Sequence, residues 1–567
     1  MTGLHAKSGD PVASQRPTLD PEPWGQLREL AHRMLDDMLD YTAEIRSRPV
    51  WQAMPEAVRQ RFRAPLPVAP GALADAYREF QENVLPYAGG NVHPGFMGWV
   101  QGGGTAVGML AEMLAAGLNA NLGGRDHAPI EIERQVSEWM RQVFGFPGGA
   151  SGLFVTGSSQ ANFIAVLMAR DAALRATGGS GNGGGKLTAY TSCAAHACIA
   201  RAMRMAGLGE GALRRIPVDE RHRVRPEALR AAVAADVAAG LTPFLLVGTA
   251  GTVDIGATDP LLELSEIATR TGMWFHVDGA FGAWAKLAPA LAPRLDGIER
   301  ADSIACDFHK WAQTPYDAGF ILVRDGNQAL ATFAVDPPYL RHAACGAAAG
   351  SFWPCDYGPD LSRGFRALKA WFTLKVYGTE RLGEVVAGCC RLAQYLETRI
   401  AATATLELAA PVQLNIVCFR FGGGDGNAVN TEIAAAIQQS GIAVPSTTVL
   451  DGRVAIRAAI VNHRTQPRDL DALVEAAVRF GREITTARGR ARPPRRMRHR
   501  QEPQSDGPAR GRFAGGVPEQ SIAARPNEAT WTRSEQSGRA LPPSEFRPQP
   551  DQREGVQRRA AAPLPPR

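Results

Sequence analysis

The stretch Ala301-Asp302-Ser303-Ile304-Ala305-Cys306-Asp307-Phe308-His309-Lys310-Trp311 begins as a buried strand and ends in a charged cluster. Residues 303–306 are small or apolar and show no helical period, the pattern of a strand covered on both faces. Lys310 follows among bulky apolar and aromatic groups, whereas a surface lysine more often has polar neighbours. Partial burial disfavours the ammonium form, lowers the lysine pKa and leaves the amine free to form a Schiff base. Asp307 is placed to orient its neighbours, and His309 reads either as a core histidine or as a donor to a bound anion.

Working outward, residues 152–156, 244–249, 273–277 and 319–323 are further short apolar runs, with helical spacings over 161–175 and 261–271. Strands interleaved with helices predict an α/β domain, from about residue 92 to 377, built on a mainly parallel sheet. Ligands of such sheets bind beyond the carboxyl ends of the strands. Three segments have that placement. Val155-Thr156-Gly157-Ser158-Ser159-Gln160-Ala161 turns from strand to helix with small residues and hydroxyls at the positive helix end. It is a phosphate cradle or, equally well, a serine-rich N-cap. Phe275-His276-Val277-Asp278-Gly279-Ala280 sets Asp278 just past a buried strand, where a carboxylate needs a cationic or donor partner, unless it caps the next loop. Ser192-Cys193-Ala194-Ala195-His196-Ala197-Cys198 carries His196, whose imidazole can stack on a flat ring, although a lone histidine is usually structural.

The remaining sequence bounds the setting. The 567 residues are 45% hydrophobic and 21% charged, ordinary for a globular chain long enough for several domains. The net charge of +6 is uneven: from Ala487 onward there are 17 Arg, no Lys and 8 acidic residues, which leaves the body at −3. Basicity therefore belongs to a Pro/Arg/Gln/Gly-rich tail over 487–567, expected to be disordered. That tail lacks aromatic interleaving, so no nucleic-acid partner is expected. The eight cysteines form no C-x-x-C pair and no zinc-type spacing, which suits a reducing cytoplasm. Neither a signal peptide nor a membrane span is expected.

Residues 1–22 are polar and expected to be disordered. Helical spacings over 24–48 and 73–84 predict an N-terminal helical segment over 23–90. A large domain is expected over 91–378 and a smaller β-α-β-α domain over 379–486, after a helix at 374–400.

In their order along the chain, the phosphate loop, His196, Asp278 and Lys310 resemble the group II pyridoxal-phosphate (PLP)-dependent decarboxylases, the family of aromatic-L-amino-acid, histidine and glutamate decarboxylases. The resemblance includes H-V-D-G-A and D-F-H-K-W, 32 residues apart from Asp278 to Lys310. It extends to His93-Pro94-Gly95-Phe96, Pro129-Ile130-Glu131-Ile132-Glu133 and Leu361-Ser362-Arg363-Gly364-Phe365-Arg366-Ala367-Leu368-Lys369, and covers roughly 24–484. It implies the aspartate-aminotransferase type (fold type I), a mainly parallel seven-stranded sheet with a small α+β C-terminal domain, and a homodimer interlocked by its N-terminal helices. It implies that Lys310 holds PLP as a Schiff base, Asp278 pairs with the pyridine nitrogen, His196 stacks on one ring face and Ala280 packs on the other. Gly157, Ser158, Ser159 and His309 would hold the phosphate, Thr252 would lie near the ring edge, and His93, Pro94 and Phe96 would line the substrate pocket.

Well-known members protonate Cα with a tyrosine on a loop before the S-R-x-F-R-A-L-K helix. Counting from Tyr339-Leu340 without gaps puts Trp353 at that position and Tyr357 four residues on. Tyr357 is favoured as the catalytic acid. The expected reaction is decarboxylation of an L-amino acid, aromatic by preference, with an aldehyde synthase or an acidic- or basic-substrate decarboxylase as the alternatives.

Overall fold

A computed structural model describes residues 18–21, 23–178, 186–335, 341–350, 352–422 and 426–491. The disorder expected for 1–17, 22 and 492–567, and the reference pair Tyr339-Leu340, lie outside the described residues.

Three helices lead the chain: α1 (Trp24–Ala43), α2 (Glu56–Arg61) and α3 (Leu73–Asn83). β1 (Phe96–Met97), α4 (Ala106–Leu118) and α5 (Ala128–Phe144) follow. The large sheet then builds from β2 (Ser151–Val155), β3 (Leu187–Ser192), β4 (Leu213–Ile216), β5 (Thr242–Thr249), β6 (Trp274–Asp278), β7 (Ser303–Asp307) and β8 (Gly319–Val323). Its order is β2-β8-β7-β6-β5-β3-β4. β3 through β7 pair in parallel, while β8 runs antiparallel to both β2 and β7.

Connections run through α6 (Ser158–Ala176), α7 (Cys198–Met205), α8 (Pro226–Ala238), α9 (Leu261–Thr271) and α10 (Gly326–Phe333). α6 packs on β7 and β8, and α9 on β5 and β6. Every residue of β7 and β8 is buried, which is why both show as continuous apolar runs in the sequence.

α11 (Ala367–Ala401) is interrupted at Gly378, where φ is 66° and ψ is 169°. Glycine adopts this conformation at little steric cost. Beyond it are β9 (Leu406–Leu408), β10 (Ile416–Phe421), α12 (Gly426–Gln439), β11 (Val444–Leu450), β12 (Arg453–Ala459) and α13 (Pro467–Ala491).

The small sheet is ordered β1-β11-β12-β10-β9. It departs from the sequence reading in three ways. β9 and β11 are additional strands, Phe96–Met97 joins this sheet by pairing with Val444 and Pro445, and α13 continues past residue 486 to Ala491. One hydrophobic core connects the two sheets, from Phe275 and Val277 in β6 to Phe419 in β10 and Ile456 in β12. Among the described residues, no helix is long and apolar enough to cross a membrane.

Candidate active site

Because β5, β6 and β7 are parallel, their carboxyl ends share one edge. The end of β2 reaches the same edge because β8 is antiparallel to β2 and to β7 alike. Asp278 ends β6 and Asp307 ends β7. Asp307 gathers the site: Ser158 donates its backbone N–H to Oδ1 at 2.6 Å and its hydroxyl to Oδ2 at 2.7 Å. Lys310 Nζ lies 2.9 Å from the same Oδ2. Asp307 is buried, and the Lys310 side chain keeps 21% of its surface open. Gly157 offers no side chain to cap α6; Asp307 takes the Ser158 N–H instead, and the Gln160 and Ala161 N–H groups bond the Gly157 carbonyl, which leaves the Ser159 N–H of the first turn without a hydrogen-bond partner among the described residues.

His309 is buried beside this edge, with its ring stacked on Tyr316 at 4.2 Å. Its Nδ1 accepts the Ala318 N–H at 2.9 Å, so in the neutral ring the hydrogen sits on Nε2. Burial holds the His309 pKa below the usual histidine value, although Asp307 pulls the other way.

Burial raises the Asp278 carboxyl above the usual carboxylate range, and Asp307 adds to the rise; Lys310, His196 and the Ala280 N–H oppose it. Lys310 departs from the sequence reading. Burial pulls its pKa down, but Asp307 and then Asp278 outweigh burial and hold the ammonium above its ordinary value. A lysine enclosed by apolar neighbours in sequence is, in three dimensions, enclosed by carboxylates.

A lysine, two buried carboxylates and the N-terminus of α6 thus share one sheet edge. Residues 55–422 match the pyridoxal-dependent decarboxylase conserved domain. The chain belongs to this decarboxylase family. It is 31% identical to an aromatic-L-amino-acid decarboxylase of Bacillus atrophaeus, over 78% of this chain and 93% of that one. It is also 31% identical to a phenylacetaldehyde synthase of Arabidopsis thaliana, over 78% and 93% of the two chains. The solved structure of Oryza sativa TDC with PLP and tryptamine superposes with a TM-score of 0.77 at 26% identity, covering 82% of this chain and all of that one. The decarboxylase therefore has fold type I architecture, and its cofactor is PLP.

The residues present fit that cofactor. Asp278 is 3% exposed, and its raised pKa marks a buried carboxylate short of positive charge, as a partner for a pyridinium nitrogen should be. The Ser159 N–H and hydroxyl at the start of α6 and the Nε2–H of neutral His309 suit a phosphate.

The other expected site residues fall in three groups. His196 is exposed on the loop between β3 and α7, where its Nδ1 accepts the Cys198 N–H at 3.2 Å. Ala280 is half-buried and donates its N–H to Asp278 Oδ1 at 3.2 Å. Thr252 is buried, and its hydroxyl accepts the Ala257 N–H at 3.0 Å. Gly157 sits 3.6 Å, measured from an added Cβ, from the His309 ring; Ser159 is exposed; and Ser158 spends both donors on Asp307.

The described contacts of His93, Pro94 and Phe96 are with the small sheet and its surroundings. His93 Nδ1 accepts the Gly95 N–H, Pro94 accepts the Thr465 hydroxyl, and Phe96 is clustered with Val50 and Val444. Trp353 is fully buried, with its indole N–H on the Ala349 carbonyl. Tyr357 packs its ring against Phe352 at 4.8 Å and against the cluster of Leu153 and Val155.

Two features of the site escape sequence reasoning. The glycine run after β1 lies directly on the lysine turn: Gly102 donates to the His309 carbonyl at 3.1 Å, and a Cβ there would stand 2.3 Å from the Lys310 carbonyl oxygen. Arg457 of β12 is buried, and its guanidinium donates to the carbonyls of Val253 and Gly98. The run Gly102-Gly103-Gly104 was a readable signal of close backbone approach; nothing local distinguishes Arg457.

Proposed function

We propose that this enzyme removes the α-carboxylate of an L-amino acid, aromatic by preference, to give the amine and carbon dioxide. The convergence of Lys310, Asp278 and Asp307 on one sheet edge carries the reading. The relatives named for aromatic substrates support the substrate class. Bound PLP supplies a protonated ring that accepts the electron pair released when the Cα–carboxylate bond breaks. Asp278 would keep the ring nitrogen protonated, and His196, Ala280 and Thr252 would help to hold the ring. Lys310 would hold the cofactor through its amine, and its amine, when free, would be placed to move a proton. Gly157, Ser159 and His309 would hold the phosphate; Ser158, the fourth residue expected there, gives both its donors to Asp307.

The proton that replaces carbon dioxide on Cα is assigned to Tyr357. Burial, with Asp356 next, raises its pKa and keeps the phenol protonated. The described contacts of Tyr357 do not include Lys310, so the assignment calls on the loop of a second copy. A homodimer agrees with the surface: Met113, Leu114 and Leu118 of α4 are exposed, and no residue of α1 is buried. His93, Pro94 and Phe96 then support the substrate side through packing with the small sheet. The eight free cysteines suit the cytoplasm.

Aldehyde formation is the second reading, favoured by the phenylacetaldehyde synthase being as similar as the decarboxylase. It consumes dioxygen and water, and releases carbon dioxide, ammonia and hydrogen peroxide beside the aldehyde. Mass spectrometry of products from a mixture of L-amino acids in air, with Lys310→Ala as the control, separates the two. An amine establishes decarboxylation and names the substrate; aldehyde with ammonia moves the assignment. Wild type and control giving the same products from every amino acid overturns the proposed function.

A further inference from the structure

Asp278 is approached from inside the protein by an unbroken line of side chains drawn from β6, β7, α6 and α7. The Trp274 indole N–H lies 2.8 Å from Ser303 Oγ, which lies 2.8 Å from His276 Nδ1. His276 Nε2 is 2.6 Å from Asn162 Oδ1, and Asn162 Nδ2 is 3.3 Å from Cys198 Sγ. Cys198 Sγ is in turn 3.8 Å from Asp278 Oδ2. Ser303, His276 and Asn162 are wholly inaccessible to solvent.

The ends of this line fix its sense. An indole only donates and a carboxylate only accepts. Each intermediate group therefore receives a hydrogen bond from the Trp274 side and gives one towards Asp278. Ser303 donates to Nδ1, His276 donates from Nε2, the Asn162 carboxamide turns its NH₂ to sulfur, and the thiol hydrogen faces Oδ2. Burial pushes the His276 pKa down to about 3, which keeps the ring in the neutral form this arrangement needs. Donors aligned in one sense polarise each other, and donors to a carboxylate favour its ionised form.

We propose that this line is a positioning relay for Asp278, with Cys198 as its terminal donor, holding the carboxylate ionised and oriented for the cofactor's ring nitrogen. Oδ1 receives the Ala280 N–H and Oδ2 the thiol, so each oxygen is fixed by one protein donor and retains a lone pair for a bound cation. Cys198, Asn162, His276, Ser303 and Trp274 are positioning residues. The proposal rests on the reading that Asp278 pairs with the pyridine nitrogen.

The test is equilibrium PLP binding by the full-length enzyme, together with the ¹⁵N resonance of bound PLP labelled at the ring nitrogen. Neither readout depends on which amino acid is the substrate. Removing a donor to a buried carboxylate in Cys198→Ala should weaken PLP binding about tenfold and shift the resonance towards the unprotonated value. Cys198→Ser, which keeps a hydroxyl donor, should recover part of both. In the Asp278→Asn background, Cys198→Ala should cost nothing further, because the group it serves is gone.

Wild-type affinity and resonance in Cys198→Ala overturn the relay, and so does an equal loss in the Asp278→Asn background. Asn162→Ala enters the line one step earlier and is expected to reproduce both effects, which keeps the test open if Cys198→Ala does not fold. Should Asp278→Asn itself leave both readouts unchanged, the pairing of Asp278 with the ring nitrogen falls, and the relay with it.

Discussion

Replacing Arg363 with methionine removes one half of a buried ion pair that ties together two distant segments of the chain. Arg363 and Glu133 each expose 1% of their side chains and form a bidentate contact. The guanidinium also donates to the Leu122 carbonyl at 2.9 Å and to the Phe154 carbonyl at 2.7 Å. After substitution, Glu133 remains buried with the Phe154 N–H, at 2.9 Å, as its surviving donor. Breaking one side of a buried, hydrogen-bonded pair costs about 3–5 kcal/mol. The unfolding entropy of a body this size is about 1 kcal/mol/K, so the thermal midpoint should fall by about 3–5 °C. Differential scanning calorimetry of holoenzyme at one PLP concentration measures it. The double variant Glu133→Leu/Arg363→Met leaves no lone charge and should recover at least half of the loss. A midpoint within about 1 °C of wild type for the single variant, or a double variant as unstable as the single, would refute the reasoning.

Other perturbations reach the site itself. Asp307→Asn takes away the largest charge supporting the Lys310 ammonium, so amine labelling of cofactor-free enzyme should show a lower pH midpoint; an unchanged midpoint contradicts the assigned cause. Tyr357→Phe should shift products from amine towards aldehyde and ammonia, and an unchanged amine yield removes Tyr357 from the protonation step. His276 has a folded-state pKa of about 3, below its unfolded value, so the unfolded chain binds its proton first as pH falls. Stability from this histidine is complete above about pH 6.5 and is lost at about 1.4 kcal/mol per unit below it. Urea midpoints between pH 7 and 5 should therefore fall less steeply in His276→Gln than in wild type.

What was legible in the sequence depended on how each element is buried. β7 and β8 are covered on both faces and showed as unbroken apolar runs, and α9 lies at Leu261–Thr271, where its spacing placed it. β3, Leu-Thr-Ala-Tyr-Thr-Ser, is just as buried, but its polar atoms are satisfied internally: Tyr190 donates to Asp236 at 2.7 Å and Thr191 to the Val247 carbonyl at 3.2 Å. Composition alone gives no sign of such partners. β11 was hidden by Pro445, which lies where that strand pairs with the two-residue β1. Within the site, motif order assembled Gly157, Asp278, His309 and Lys310 because each stands at or beside the end of a strand or the start of a helix. The motif around His93 and Phe96 gave no sign that Gly102, six residues beyond Phe96, touches the lysine turn.

The correction to Lys310 shows how the two motifs act on each other. A carboxylate about 4 Å from an ammonium contributes about 4 kcal/mol at an effective dielectric of 20, so Asp307, at 2.9 Å, does most to reverse the desolvation penalty and Asp278 adds a smaller share. Asp307 and Asp278 together therefore stabilise the charged amine while nothing else claims them. Ser158 places two donors on Asp307, which disperses its charge and weakens its hold on Lys310. A cation taken up by Asp278 removes the second contribution. If Asp278 pairs with the ring as proposed, binding a positively charged ring and releasing a proton from Lys310 would be linked through the two aspartates, whose geometry the strand ends supply. On the proposed assignment the loop at Ser158 would do more than bind an anion: through Asp307, Ser158 would adjust how readily the Lys310 amine becomes neutral.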